Sequence, residues 1–163
     1  MSRHERLIRA WFEERARPGE AFVDWGVLAR YPQADHASFS AAEGHRIRLA
    51  DARGARLAAA GVVPGSRVLP GVTDPFAAVS DQRLILGRSG GFRFTPREEL
   101  LSLDRPTFRV LWWDEPQPGP DKRHLIVQVD DGRWWDTSSL VHDNVNADAF
   151  LAALGPNAVH LPD

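Results

Sequence analysis

The chain contains no cysteine, which excludes disulfides, thiolate metal sites and a cysteine nucleophile. Lysine is nearly missing as well: Lys122 alone represents it among the 20 Lys and Arg residues, a bias that resembles GC-rich bacterial coding. No apolar run approaches the roughly 20 residues that a membrane-spanning helix needs. The opening MSRHERLIRAWFEERAR is charged throughout and has no apolar signal core. The expectation is a soluble, cytoplasmic protein, and the absence of cysteine is compatible with that compartment. Net charge is −2, which argues against a general polyanion binder, so no nucleic-acid partner is expected. The charge is unevenly distributed: residues 1–100 hold 15 Arg and 12 Asp or Glu, a balance of +3, and residues 101–163 hold 5 Lys or Arg and 10 Asp or Glu, a balance of −5.

What is present suits one domain over 1–163 with a mainly β core and flanking helices. Residues 3–16 are predicted as an amphipathic helix. Ser2 and Glu5 form a capping box, Leu7, Ile8, Trp11 and Phe12 make the apolar stripe, and Pro18 and Gly19 stop it. Residues 20–31 read as a strand closed by Pro32. Residues 32–75 are predicted as a helix-bearing insertion, its helix starting at Ser40 and ending at Gly61. Arg46, Arg53 and Arg56 are read there as one basic, solvated face. From Phe76 the pattern turns to strands: FAAVSDQRLILG, a tight RSGG turn, GFRFTP, and the short apolar run in PREELLSLD. Residues 107–115, 122–129 and 132–140 form a predicted three-strand meander. ADAFLAAL, capped by Asn144 or Asn146 and closed by Gly155 and Pro156, is the last predicted helix.

The motif AVSDQRLIL, with Thr95 to Asp104, DDGRWW and NADAFLAAL following in that order, resembles bacterial pleckstrin-homology-like (PH-like) domains. The resemblance covers about 19–31 and 76–155, and the insertion at 32–75 departs from it. It implies an antiparallel PH-like barrel or bent sheet with a C-terminal capping helix. Phe150, Leu151 and Leu154 would plug the open end, and Asp81 and Arg83 would be structural strand-start residues. Members of that superfamily bind phosphoinositides, peptides or proteins. The basic first hairpin that reads inositol phosphates has no match here, so phosphoinositide binding is not expected.

No phosphate loop, dinucleotide fingerprint or nucleophile elbow is present. The six histidines show no HExxH or HxH spacing, so no metal is expected. His142 and Asp143 near Ser138 and Ser139 do not by crowding make a triad. The sequence predicts a non-catalytic module without a cofactor. The tryptophan doublets are the informative remainder. Neighbours on a strand face opposite sides, so one Trp of each doublet must point outward, covered by the chain's own elements or by a partner. Trp113 and Trp134 are the partner-binding candidates, with Arg88 and Arg93 around the RSGG turn as a small anion site. The expectation is a binding or regulatory module that engages a protein or itself. The alternatives are an immunity-like inhibitor of another protein, or an enzyme with dispersed catalytic residues.

Overall fold

The structure, a computed structural model, describes residues 1–30, 51–62, 74–90, 94–115, 122–141 and 145–162. Helix α1 (Arg3–Glu13) is followed by β1 (Phe22–Val27), β2 (Ala29–Arg30) and a helix α2 whose described part spans 51–59. Next come β3 (Pro75–Ser80), β4 (Arg83–Gly90) and β5 (Thr95–Asp104). A 3₁₀ turn (Arg105–Thr107) leads to β6 (Phe108–Glu115), β7 (Lys122–Val129) and β8 (Trp134–Leu140). Helix α3 (Ala147–Leu154), a second 3₁₀ turn and β9 (Ala158–His160) complete the order. No helix among the described residues is long and apolar enough to cross a membrane.

The strands form a four-stranded sheet A, ordered β1-β3-β4-β5, and a five-stranded sheet B, ordered β2-β8-β7-β6-β9. The expected mainly β core with flanking helices is present, but it is not a closed barrel: among the described residues no ladder joins β5 to β6. Arg105 occupies that corner. Its guanidinium donates to the carbonyls of Ser80, Ala153 and Leu154, tying the turn to β3 and α3. At the opposite side the first strand serves both sheets. It breaks at Leu28, whose N–H donates to Pro75 O, so that β1 pairs with β3 and β2 with β8. The meander lies where it was predicted. The short strand β9, parallel to β6, was not anticipated.

The hairpin turn also moves. FAAVSDQRLILG is two strands, because Ser80 Oγ accepts from the N–H groups of Gln82 and Arg83 and closes a turn at Asp81–Gln82. Arg88 to Gly90 continue β4 instead of turning, and 91–93 lie outside the described residues. The carboxylate of Asp81 accepts the N–H of Ala21, ahead of β1, while the N–H groups of its own turn go to Ser80. Gly87 faces Phe76 across the ladder, and the ring covers it so closely that a Cβ would collide with the ring atoms. Gly26 receives Phe150 of α3 in the same way; strand glycines often mark such close approaches.

Three apolar clusters result. The main core lies between the sheets, where Ala77, Val79, Leu84 and Leu86 meet Val110, Leu125, Val127 and Trp135, with Phe150, Leu151 and Leu154 of α3 packed in. A second cluster joins Ile8, Trp11 and Phe12 of α1 to Trp25, Phe76, Ala78 and Ile85 on the outer face of sheet A. The N-terminal stripe is thus spent within the chain. A third cluster covers the outer face of sheet B. Asn146 takes a left-handed conformation before α3, and its amide donates to Asp24 Oδ1 and Trp25 O instead of capping the helix.

An ion pair anchors the α1 layer. Arg83 donates to Glu20 from Nε and Nη2 at 2.8 and 3.0 Å, to Ser102 Oγ from Nη1, and to Arg15 O from Nη2. Both side chains are almost wholly buried, 6% and 0% exposed. Burial alone would raise the Glu20 carboxyl, but donation from Arg83, the Arg17 amide and Ser80 outweighs it and holds the group at about 2. Removing one partner of such a pair strands the other charge.

Glu20→Gln is expected to lower stability in urea unfolding at pH 7 by about 3 kcal/mol. Because the folded carboxyl is held at about 2, below its ordinary 4.5, its contribution is complete above about pH 4.5 and lost as pH falls through about 2. The gap between wild type and variant should therefore close over that window; a constant gap would remove the ion pair as its source. Gly87→Ala, which sets a methyl into the Phe76 ring, is expected to destabilise by about 1–3 kcal/mol in the same assay.

Candidate functional site

Strand alternation sends Phe108, Val110 and Trp135 to the main core and Leu111, Trp113 and Trp134 to the opposite face of sheet B. Trp112 packs partly against the main core, where its ring meets His160 and Arg123. Each doublet therefore splits across the sheet. The outward pair, Trp113 and Trp134, is nevertheless buried, 2% and 7% exposed. Leu57 and Val62 from the α2 segment, with Leu161 from the C-terminal segment, close over them.

α2 presents Arg53, Arg56, Leu57 and Ala60 to the sheet, the i, i+3, i+4, i+7 stripe of a helix face. This overturns the solvated basic face read from the sequence. The Arg53 guanidinium sits 5.0 Å from the Trp134 ring centre, and that of Arg56 lies 5.3 Å from the Trp113 ring centre. Guanidinium groups stack on indole rings while their stems cover apolar surface. Arg46 lies outside the described residues. The helix closes with Gly61 at φ +69: Val62 N–H donates to Leu57 O, and Gly61 N–H to Ala58 O. That is a Schellman cap, and its characteristic apolar contact is made by Val62 and Leu57.

Beneath α2 is a polar cluster that the sequence did not disclose. His124, fully buried, lies opposite Trp113 on one side and Ser138 on the other. Its ring stacks on Trp113 with centroids 4.2 Å apart. Nδ1 is 3.0 Å from Glu115 Oε1, and Nε2 is 2.6 Å from Asp136 Oδ1. Carboxylates only accept, so both contacts are hydrogen bonds only when the ring carries a proton on each nitrogen. The second oxygen of Asp136 takes Nη2 of Arg53 at 2.5 Å. Asp136 thus links the sheet's imidazole to the helix. Lys122 pairs across the ladder with Glu115; burial lowers the pKa of its ammonium, against the pull of that carboxylate.

This arrangement does not build a nucleophile and base. Ser138 Oγ is buried and makes no hydrogen bond, but both nitrogens of the neighbouring imidazole already face carboxylates. A triad needs one nitrogen directed at the hydroxyl. Ser139 points elsewhere, donating to Val27 O and Leu140 O, and His142 and Asp143 lie outside the described residues. Among the described residues no group of three or more His, Asp or Glu is placed to hold a metal ion; the two carboxylates here approach the ring from its two different nitrogens.

The other sequence candidates sit apart from this cluster. Arg88 is on sheet A, half exposed, and pairs with Glu98 at 2.9 Å. Arg93 lies outside the described residues. Neither a protein-family model, nor a curated protein, nor a solved structure matches the chain.

Asp136→Asn, which preserves shape but removes the charge shared by Arg53 and His124, is expected to release α2 selectively. Amide hydrogen exchange at Ala60, Gly61 and Val62 should accelerate by about tenfold or more, while β3 and β4 stay protected. Uniform acceleration across both sheets would instead make the cluster part of the global core.

Proposed function

We propose that this chain is a non-catalytic binding module of the PH-like kind its sequence resembles, engaging a protein partner or a second copy of itself through the outer face of sheet B. Two sheets, antiparallel except for the short strand β9, that share one bent strand and hold a C-terminal helix in the core between them support the PH-like reading. The observation that carries the binding reading is the composition of the interface under α2. The main core is an apolar cluster, and the α1 interface is led by Ile8, Trp11 and Phe12, joined by the buried Arg83–Glu20 pair and by Arg9 and Arg15 over Phe22 and Trp11. Under α2, two Trp rings, two Arg, a His and two carboxylates share the contact. Charged side chains are rarely buried in a domain core, whereas Trp and Arg anchors mark dissociable interfaces. Contacts within a chain that resemble transient interfaces are the ones that open.

The test is affinity capture from the native host lysate with tagged wild type and Arg53→Ala, alongside light scattering of each purified form. A stoichiometric protein partner, or a concentration-dependent doubling of mass, that increases in Arg53→Ala is the expected result. If neither form acquires a protein or a second copy, the binding reading is wrong.

A further inference from the structure

We infer that the partner presents a basic amphipathic helix, with two arginines three residues apart followed directly by an apolar residue, and that this helix takes the place of α2. The inference rests on the reading of sheet B's outer face as the binding surface. α2 shows what that face accepts. Asp136 receives Arg53 while Trp134 lies under the same guanidinium, Trp113 lies under Arg56, and Leu57 enters the cluster with Leu111, Ile126 and Leu161. Asp136 keeps an oxygen for a guanidinium beside the Trp134 ring, and a planar guanidinium fits ring and carboxylate together better than an ammonium does.

α2 is also a weak occupant of its own site. Its described part, 51–59, carries Gly54 in its interior. An interior glycine costs a helix about 1 kcal/mol relative to alanine. Among its described residues the buried apolar anchors are Leu57 and, just past the cap, Val62, whereas α1 buries Ile8, Trp11 and Phe12. A partner helix with the same arginine spacing and no internal glycine competes favourably. Gly54 is therefore a setting of the competition: a Cβ there meets nothing within 4 Å, so Gly54→Ala strengthens α2 without disturbing the face it covers.

The experiment titrates three full-length forms, wild type, Gly54→Ala and Arg53→Ala, into a fluorescein-labelled peptide. The peptide carries residues 51–62 with alanine at the Gly54 position and alanine-rich flanks. Anisotropy should show Arg53→Ala binding tightest and Gly54→Ala weakest, with about fivefold between wild type and Gly54→Ala, the equivalent of about 1 kcal/mol. A peptide with both arginines changed to glutamate should not bind. Equal or better binding of that glutamate peptide overturns the basic-helix partner and leaves the face as a binding surface. Absence of binding by either peptide to all three forms, each shown folded by circular dichroism, overturns the inference and the surface together. Should Arg53→Ala not fold, the comparison of wild type with Gly54→Ala decides alone: equal affinities mean that α2 and the peptide do not compete.

Discussion

Both sheets are apolar on both faces, and the architecture follows from that constraint. Residues alternate across a strand, so continuous apolar runs such as FAAV, LIL and LIV load both sides at once. In β3, Ala77 and Val79 enter the core between the sheets while Phe76 and Ala78 face out. A sheet of that kind is stable in water only when something covers its second face. α1 covers one sheet, and α2 with the C-terminal segment covers the other. The helices are therefore the outer layers of a sandwich that would otherwise present aromatic surface to solvent.

The two outer layers differ in kind. α1 is attached by three large apolar side chains and backed by the buried Arg83–Glu20 pair, which reaches from β4 to the segment between α1 and β1. α2 is attached largely through guanidinium groups lying on indole rings and ending on a carboxylate. Apolar contact tolerates no water, while arginine–carboxylate contact exchanges readily with it.

The elements were largely legible in the sequence. Ser2 as cap, the meander, α3 and the opposed directions of the paired tryptophans all follow from local rules, because each depends on residues a few positions apart. The Ser80–Arg83 turn was hidden by apolar residues on both sides that read as one strand. The face of α2 was misjudged because Arg53 and Arg56 were grouped by charge, although Arg53 and Leu57 stand four apart and share a face. The His124 cluster was invisible for a different reason: Glu115, His124 and Asp136 come from three strands, and only the register of two ladders sets them on adjoining diagonals. A signal existed in the outward period shared by Trp113, Glu115, His124, Trp134 and Asp136, but it required the pairing first.

The bent first strand has a consequence for the order in which the molecule can assemble. β1 finds its partner in β3, and α1 with sheet A is complete by Asp104. β2 pairs only with β8, and the Thr137 hydroxyl that joins them donates to Ala29 O across 108 positions of sequence. During synthesis the first sheet can close while the second has yet to emerge. α2 leaves the ribosome before β6, β7 and β8, which carry the side chains it will cover, so its arginines wait, uncommitted, until the last hairpin arrives.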